Sequence, residues 1–347
     1  HFNFAYDVVD VLGKTKPDKL AMLHIANSGK ERRITFKDMM VYSNKAANYF
    51  RFLGIKRGDR VMLVLKRHYQ FWFAILALHK IGAIAIPATN LLVKKDFEYR
   101  LKAGKIDAVL CTSDGKVAQE VERASKTYDG LKAKIMVGSS TLVGWRNFNR
   151  DIRFFSPEFK KPTDVPGGDD PMLMFFTSGT TSYPKIAAHS YKYALGHFIT
   201  AKYWQQVDPD GIHFTISDTG WGKALWGKLY GQWLCEAAVF TYDFDEFYAS
   251  EILKMIEKYK ITTFCAPPTV YRVMVHMKLD HFDLSSLSTV ATAGEALNPE
   301  IYDKFYKATG MKIMEGFGQT ETTLTIGNLA GMEPKPGSMG KPSPQYT

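Results

Sequence analysis

Residues 172–185 read MLMFFTSGTTSYPK. The first five are apolar and uninterrupted, and a run of this length predicts a buried strand. Small hydroxyl residues, Gly179 and a terminal Lys185 follow it. Backbone N–H groups and hydroxyls can surround an oxyanion, glycine lets the backbone approach closely, and lysine adds a point charge for a phosphate. The stretch therefore predicts a strand followed by a phosphate-binding loop, with a Ser/Thr-rich surface turn as the alternative.

Two well-known catalytic loops do not fit this stretch. A Walker loop would need glycine at position 184 and Ser or Thr at 186, where the chain has Pro184 and Ile186. A serine-hydrolase elbow would need a glycine two residues before Ser178, where the chain has Phe176. The loop therefore belongs to neither class.

Short apolar runs alternate with helical patterns on both sides of this loop. Residues 245–259 carry an amphipathic helical pattern, and Asn298-Pro299-Glu300 has the features of a helix start. The predicted strands are residues 60–65, 83–86, 107–111, 133–137, 172–176, 212–216, 237–241, 261–266, 287–292 and 311–314. This alternation predicts the α/β class, with two parallel-type sheets flanked by helices.

The composition is that of an ordinary globular protein. Of 347 residues, 46% are hydrophobic and 23% are charged, which excludes disordered, collagenous and coiled-coil chains. The formal net charge of +10 favours a positive surface or polyanionic ligands such as nucleotides, but no basic run is dense enough to indicate nucleic-acid binding. Three separated cysteines and the absence of a visible signal peptide or membrane span predict core thiols and a cytoplasmic location.

Two more motifs follow predicted strands. Residues 293–297 read AGEAL after the strand at 287–292, and residues 315–322 read EGFGQTET after the strand at 311–314. Ligands bind beyond the carboxyl ends of parallel strands, so both motifs stand where a site is expected. Gly294 lets the backbone approach a ligand closely, and Phe317 between two glycines can present a ring face for stacking. An ordinary strand-to-helix turn would also explain Gly294-Glu295.

Together the three motifs resemble those of the adenylate-forming enzymes, which include acyl-CoA synthetases, luciferases and peptide-synthetase adenylation domains. Their order and spacing agree with the family over nearly the whole chain, but Ser182 stands where the family usually has glycine. Within the family, residues 216–221 (ISDTGW) and 265–272 (CAPPTVYR) are most similar to medium-chain acyl-CoA synthetases.

The resemblance implies a nucleotide site that draws on all three motifs. Its ATP-binding residues would be Thr177, Ser178, Gly179, Thr180, Thr181, Ser182, Tyr183, Pro184, Lys185, Gly294, Glu295, Ala296, Glu315, Gly316, Phe317, Gly318, Gln319 and Thr320. Lys185, Thr320 and Glu321 would be catalytic: Lys185 and Thr320 toward the phosphates, and Glu321 as the Mg²⁺ ligand. The alternative for Glu321 is a solvated acid in a turn.

The acyl pocket would be lined by Trp221, Gly318 and Thr320. Trp221 follows Asp218-Thr219-Gly220 at a strand-to-helix turn, where ligands bind. The spacing of Trp226 and Trp233 is more typical of a core helix.

The resemblance also implies a reaction. A carboxylic acid, either a short- to medium-chain or a branched fatty acid, reacts with ATP to give acyl-AMP and pyrophosphate, and coenzyme A then displaces AMP. We expect ATP, Mg²⁺ and coenzyme A as cofactors and co-substrates, with small-molecule partners and neither nucleic acid nor a membrane span. Homo-oligomerisation stays open. The alternatives are an adenylating ligase for an aryl or amino acid, and a non-catalytic nucleotide-binding relative.

The residue pattern and the same resemblance also predict a domain organisation. A stretch rich in proline and glycine at 148–170 interrupts the strand–helix pattern. We expect a first α/β unit at 1–165, a second at 166–334 that carries the nucleotide motifs, and the start of a small β-barrel at 335–347. The family's mobile C-terminal lid, with its catalytic lysine, would follow Thr347. The chain is thus expected to be an N-terminal AMP-binding domain that alone is inactive in thioester formation.

Overall fold

The computed structural model describes residues 1–140, 142–177 and 183–346. The strands in these ranges are β1 (Leu20–Ile25), β2 (Glu31–Thr35), β3 (Arg60–Val64), β4 (Ile84–Pro87), β5 (Ala108–Thr112), β6 (Ala133–Val137), β7 (Arg146–Asn147), β8 (Pro171–Thr177), β9 (Lys185–Ser190), β10 (Ile212–Thr215), β11 (Ala238–Tyr242), β12 (Thr263–Ala266), β13 (Thr289–Thr292), β14 (Ile313–Gly318), β15 (Leu324–Gly327) and β16 (Lys341–Pro342). The α-helices are α1 (Val11–Thr15), α2 (Phe36–Phe52), α3 (Gln70–Ile81), α4 (Lys94–Ala103), α5 (Val117–Ser125), α6 (Phe148–Asp151), α7 (Tyr193–Ile199), α8 (Gly222–Gly227), α9 (Tyr230–Leu234), α10 (Ala249–Tyr259), α11 (Pro268–Met274) and α12 (Pro299–Thr309). Short π-helical turns lie at Ala5–Asp10 and Thr200–Trp204, and 3₁₀ turns at Ile152–Phe154 and Leu279–His281.

One compact unit comprises His1–Lys19, Ile34–Lys192 and Asp218–Gly222. Its sheet has the strand order β7-β6-β5-β3-β4-β8-β9. The strands from β7 to β8 pair in parallel, and β9 closes the edge antiparallel to β8. Helices α4 and α5 contribute Phe97, Leu101 and Val121 to a core that also contains Met62 and Val109 of the sheet. Burial on both faces explains why β3, β4 and β5 are continuous apolar runs.

The other compact unit comprises Leu20–Arg33, Tyr193–Ser217 and Lys223–Thr347. Its sheet has the strand order β16-β15-β14-β13-β12-β10-β11-β1-β2. The strands from β14 to β1 pair in parallel, and β15 and β16 continue the sheet antiparallel. Phe214, Phe240 and Phe264 of the sheet pack with Ile256 of α10 and Phe305 of α12.

The helix start at residues 298–300 forms by the predicted chemistry. The side chain of Asn298 accepts a hydrogen bond from the backbone N–H of Glu300, Pro299 takes the first helical position, and α12 follows. The helix ends at Thr309 and is capped by Gly310, whose φ of 72° lies in the left-handed region that favours glycine. This helix returns the chain to β14 and thereby positions the last motif.

The predicted α/β class with two mostly parallel sheets is confirmed, and the ten predicted strands are present within a few residues of their expected bounds. Strands β1, β2, β7, β9, β15 and β16 were not predicted. Strand β9 follows the phosphate loop directly and is largely exposed, so it lacks the apolar run of a central strand. Strand β14 continues through Gly318, where the sequence suggested that the strand ends at 314.

The structure divides the chain differently from the expected ranges 1–165 and 166–334. Strands β8 and β9 pair with β4 and belong to the sheet of the first unit, although they follow residue 165. Strand β1, near the start of the chain, pairs with β11 in the other sheet. Because strand pairing joins residues far apart in the sequence, a proline- and glycine-rich stretch does not mark these boundaries. The β-barrel expected at 335–347 stays a prediction.

Within the described ranges, no helix has both the length and the apolar character needed to cross a bilayer.

Candidate functional site

The glycine-containing motif that follows β13 lies beside the one that begins within β14 and ends just after it. These strands pair in parallel with Thr292 opposite Glu315, so the carboxyl end of β13 lies beside the motif that ends β14. Ala293 is buried, whereas Gly294, Glu295 and Ala296 are exposed. Gly294 has a φ of 110°, a conformation that residues with side chains rarely adopt. The structure thus brings together two of the three motifs.

Glu315 links the two motifs directly. Its carboxylate Oε1 accepts a hydrogen bond of 2.9 Å from the backbone N–H of Leu297, at the end of the turn that follows β13. Glu315 is only 4% exposed, and burial raises the pKa of its carboxyl, partly offset by the hydrogen bond from Leu297. Its backbone carbonyl accepts from the side-chain amide of Asn328 at 3.1 Å. Glu315 is therefore placed to hold the turn rather than to face solvent.

The two glycines on either side of Phe317 are required by packing. A Cβ at Gly316 would lie 2.7 Å from the indole of Trp204, and one at Gly318 would lie 1.9 Å from the ring of Trp226. Alternate residues of a strand point to opposite faces, so Phe317 lies on the face away from these tryptophans. Its side chain is 38% exposed. The motif thus presents an aromatic ring at the end of β14 and packs its two glycines against bulky indoles.

Trp226 and Trp233 are buried, as the sequence predicted for core residues. The indole N–H of Trp226 donates to the hydroxyl of Tyr193 at 3.2 Å, which fixes the ring against Gly318. Gly318 and the ring of Trp226 are therefore closely packed beside the motif.

The sequence reasoning missed Lys223, which supports the turn after β13. Its Nζ donates to the carbonyl oxygen of Ala293 at 2.7 Å. Burial lowers the pKa of Lys223, while the thiol of Cys265 and the carboxylate of Glu295 oppose that shift. The signal for Lys223 in the sequence was its position between Trp221 and Leu225, in an otherwise apolar segment.

The residues after β14 form an exposed turn. The hydroxyl of Thr322 accepts from the backbone N–H of Gln319 at 3.0 Å, and the N–H of Thr322 donates to the Gln319 carbonyl at 3.0 Å. Thr320 is partly buried and Glu321 is exposed at the tip. The carboxylate oxygens of Glu321 are hard donors on the same edge as Phe317.

These donors can be tested against Mg²⁺ chemistry. The residues that the structure describes contain no group of three or more His, Cys, Asp or Glu side chains that could hold a metal. Mg²⁺ commonly binds through one or two carboxylates while water and substrate phosphates fill its other positions. The exposed carboxylate of Glu321 fits that mode of binding.

The phosphate loop predicted from the sequence lies in the other compact unit. Ser178, Gly179, Thr180, Thr181 and Ser182 lie outside the described residues.

The residues that flank this loop are described. Thr177 and Lys185 are paired across the antiparallel strands β8 and β9, so the loop joins two neighbouring strands. Lys185 is exposed. The ring of Tyr183 stacks on that of Tyr99 at 4.9 Å, and the Tyr99 hydroxyl donates to the carbonyl of Pro184 at 2.9 Å. The loop is therefore anchored at its carboxyl end, directly before Lys185.

The segment Asp218–Gly222 belongs to the same unit as this loop. Thr219 is buried and donates through both its backbone N–H and its hydroxyl to the carbonyl oxygen of Lys66, just beyond β3. Asp218 pairs with Arg67. A Cβ at Gly220 would lie 2.4 Å from the backbone nitrogen of Thr89. These contacts hold the turn at the carboxyl edge of the sheet.

Trp221 follows this anchored turn, and its side chain is 56% exposed. A tryptophan this exposed at the carboxyl edge of a parallel sheet stands where ligands bind in α/β proteins. The side chain is available to a ligand, in contrast to the buried Trp226.

The chain was compared with known proteins on this basis. The model of the family described as AMP-binding enzyme matches residues 10–347. The acyl-coenzyme A synthetase ACSM3, mitochondrial, of Homo sapiens is 36% identical over 358 residues, which cover 100% of this chain and 60% of that protein. The acyl-coenzyme A synthetase ACSM5, mitochondrial, of Rattus norvegicus is 38% identical over 353 residues, again covering 100% of this chain and 60% of that protein.

Solved structures agree in fold. An anthranilate CoA ligase, AuaEII, in complex with anthranoyl-AMP superposes with a TM-score of 0.87 at 25% identity, covering 98% of this chain and 66% of that one. An acyl-CoA synthetase of Brucella canis superposes with a TM-score of 0.87 at 23% identity, covering 100% of this chain and 63% of that one, and shows the fold alone.

The chain belongs to the family of AMP-binding enzymes, because the family model matches nearly its whole length. The resemblance to adenylate-forming enzymes that the three motifs indicated is thereby confirmed. The chain spans about 60% of the length of the curated relatives named above.

Proposed function

We propose that this chain carries the nucleotide- and acyl-binding part of an AMP-forming acyl-CoA synthetase. The observation that carries the proposal is the edge formed by β13 and β14, where Glu315 holds the turn at Leu297 and the Phe317 ring is exposed. A turn with exposed backbone beside an exposed aromatic ring suits the faces of a purine. The family membership and the names of the relatives support the same function.

In this proposal the residues of the compact unit that contains β13 and β14 bind the adenosine part of ATP. The exposed backbone at Gly294–Ala296 lies against the purine, the Phe317 ring stacks on it, and Thr320 donates a hydrogen bond to the α-phosphate. When bound, Mg²⁺ would neutralise phosphate charge, and Glu321 would hold it. The hydrogen bonds from Leu297 to Glu315 and from Lys223 to Ala293 hold the turn in place before ATP binds. Binding therefore requires little further ordering of the backbone.

The loop at 177–185 would hold the outer phosphates. Thr177 and Lys185 sit opposite each other at its two ends, and an exposed ammonium can contact a phosphate as a point charge. Positioning and charge stabilisation are the means by which such sites accelerate attack by a carboxylate.

For the substrate, we propose a short- to medium-chain or branched fatty acid, with coenzyme A as the thiol that accepts the acyl group. Trp221 would line the acyl pocket together with Gly318 and Thr320. A Cβ at Gly318 would clash with the Trp226 ring, so the two residues are closely packed. In this proposal, that packing limits the shape of the acid that the pocket accepts. The anthranilate CoA ligase with the same fold makes an aryl acid the second candidate.

The experiment is a panel of straight, branched and aryl carboxylates assayed in the natural full-length protein. Pyrophosphate exchange reports the first step, and thioester formation with coenzyme A reports the second. A preference for straight or branched acids in both assays supports the proposal, whereas a preference for aryl acids selects the second candidate.

Two variants sharpen this experiment. Glu321→Gln should lower both activities, and Glu300→Gln, which removes an exposed acid paired with Lys304 on α12, should lower neither. ATP binding without exchange for any acid would refute the proposal and indicate a non-catalytic nucleotide-binding protein.

The cytoplasmic location expected from the sequence does not fit the relatives, whose names place them in mitochondria. We therefore propose a mitochondrial location. Fractionation of the organism's cells with an antibody against this chain tests it, and recovery only in the cytosolic fraction would refute it.

A further inference from the structure

The compact unit that contains β3 to β9 carries phenylalanines that are not buried in its core. Phe154 is 83% exposed and Phe52, the last residue of α2, is 68% exposed. The ring of Phe52 lies 5.5 Å from that of the partly buried Phe155, and Phe159 lies on the same segment. We call Phe52, Phe154, Phe155 and Phe159 the aromatic patch. Clusters of exposed aromatic side chains commonly mark an interaction surface.

The patch is held in place by α2 rather than by a loose loop. The side-chain amide of Asn44 donates to the carbonyl of Pro157 at 2.9 Å. The amide of Asn48 donates to the carbonyls of Ser156 at 3.0 Å and Glu158 at 2.8 Å. Because the segment is fastened at three successive carbonyls, the exposure of Phe154 is part of the fold.

Basic side chains surround the patch. Arg51 lies over the Phe159 ring, with 4.4 Å between its guanidinium carbon and the ring centroid. The other cations on the segment are Arg150, Arg153, Lys160 and Lys161, and its acids are Asp151 and Glu158. Asp151 already accepts from Arg150 and from the Tyr49 hydroxyl. The surroundings of the patch are therefore positive.

We propose that the aromatic patch docks this protein peripherally on the surface of an anionic lipid bilayer. Aromatic rings enter the boundary between headgroups and acyl chains, and basic side chains beside them are attracted to anionic headgroups. A second copy of the chain is a poorer occupant, because two such patches facing each other would bring like charges together. This surface goes beyond the proposed function, since none of its residues belongs to the candidate site.

The test uses the natural full-length protein and co-sedimentation with vesicles. Vesicles of phosphatidylcholine alone are compared with vesicles that also contain phosphatidylserine, at low and high salt. Binding is expected only to the anionic vesicles and should weaken as salt rises. Phe154→Ser should lower the partition coefficient about tenfold. The double change Arg153→Gln with Lys160→Gln should lower it roughly 10- to 30-fold.

A matched control lies on the other unit. Tyr248 is 57% exposed, but its hydroxyl donates to the carboxylate of Glu246, so its surroundings are acidic. Tyr248→Ser should leave vesicle binding unchanged. Because Phe154 and Tyr248 are both exposed, neither substitution removes core packing, and matching circular dichroism spectra verify this.

Three results would overturn the proposal. The first is equal vesicle binding by wild type and Phe154→Ser. The second is equal binding to neutral and anionic vesicles. The third is self-association without lipid that Phe154→Ser abolishes in sedimentation velocity, which would identify a second copy of the chain as the occupant. Because vesicle binding and thioester formation are measured separately, failure here is distinguishable from failure of the proposed enzyme function.

Discussion

Replacing Glu315 by alanine should loosen the turn that follows β13. The substitution removes the carboxylate that accepts the Leu297 N–H at 2.9 Å, and Leu297 is only 4% exposed. A buried N–H left without its partner costs about 1–3 kcal/mol. Taking about 2 kcal/mol as the middle of that range, the local opening equilibrium should rise about 30-fold.

Hydrogen exchange at the Leu297 amide measures that opening directly. In Glu315→Ala the amide should exchange about 30-fold faster than in wild type, provided that exchange proceeds by local opening. ATP affinity should fall in parallel if the turn contacts the purine. Glu315→Gln is the informative partner, since its amide oxygen can still accept from Leu297, and exchange should change by only a few-fold.

The pH dependence adds a second readout. Burial raises the pKa of Glu315, so the native state binds this proton more tightly than the unfolded state does. The contribution of Glu315 to stability is fully present below its unfolded pKa and is lost as pH rises through its folded pKa. Glutamine never ionises, so Glu315→Gln should be at least as stable as wild type at pH 8, and this advantage should disappear near pH 4.

The control is Glu333→Ala, which removes an exposed acid paired with Lys312 and should not affect exchange at Leu297. Unchanged Leu297 exchange in Glu315→Ala would refute the reasoning, because the turn would then be held by other contacts. Faster exchange with unchanged ATP affinity would keep the structural role and remove the turn from the nucleotide site.

Three further predictions concern other residues. Glu321→Gln should weaken ATP affinity in the presence of Mg²⁺ and leave it unchanged with EDTA, in calorimetric titrations; equal Mg²⁺-dependent affinity would contradict its role as metal ligand. Trp221→Ala should shift the chain-length profile of acids more than the KM for ATP, and an effect on ATP alone would place this residue outside the acyl pocket. Burial lowers the pKa of His213 to about 3, so His213 stays neutral in the folded protein but is protonated in the unfolded chain below about pH 6.5. His213 should therefore lower the free energy of unfolding by about 2 kcal/mol as the pH falls from 7.5 to 5. His213→Gln should flatten that part of the urea-denaturation profile, and an unchanged slope would show that other groups dominate acid sensitivity.

Much of the architecture was determined by local sequence. The apolar runs of β3, β5, β8 and β13 and the helix start at Asn298 were predictable, because strand burial and helix capping depend on neighbouring residues. The three motifs could also be placed after strands, where parallel sheets bind ligands. The exposed edge strand β9 could not, since its residues lack a buried face.

The partners of the motif residues were decided by tertiary structure. Glu315 reads as a site residue in the sequence, yet the fold turns its carboxylate toward the N–H of Leu297. Lys223 reaches the carbonyl of Ala293, and Gly318 is required by the ring of Trp226. These contacts join residues brought together by crossovers between parallel strands, so no local pattern encodes them. The sequence alone therefore determined which segments carry the motifs, and only the packing of β13, β14 and α8 decided which of their side chains hold the site in place.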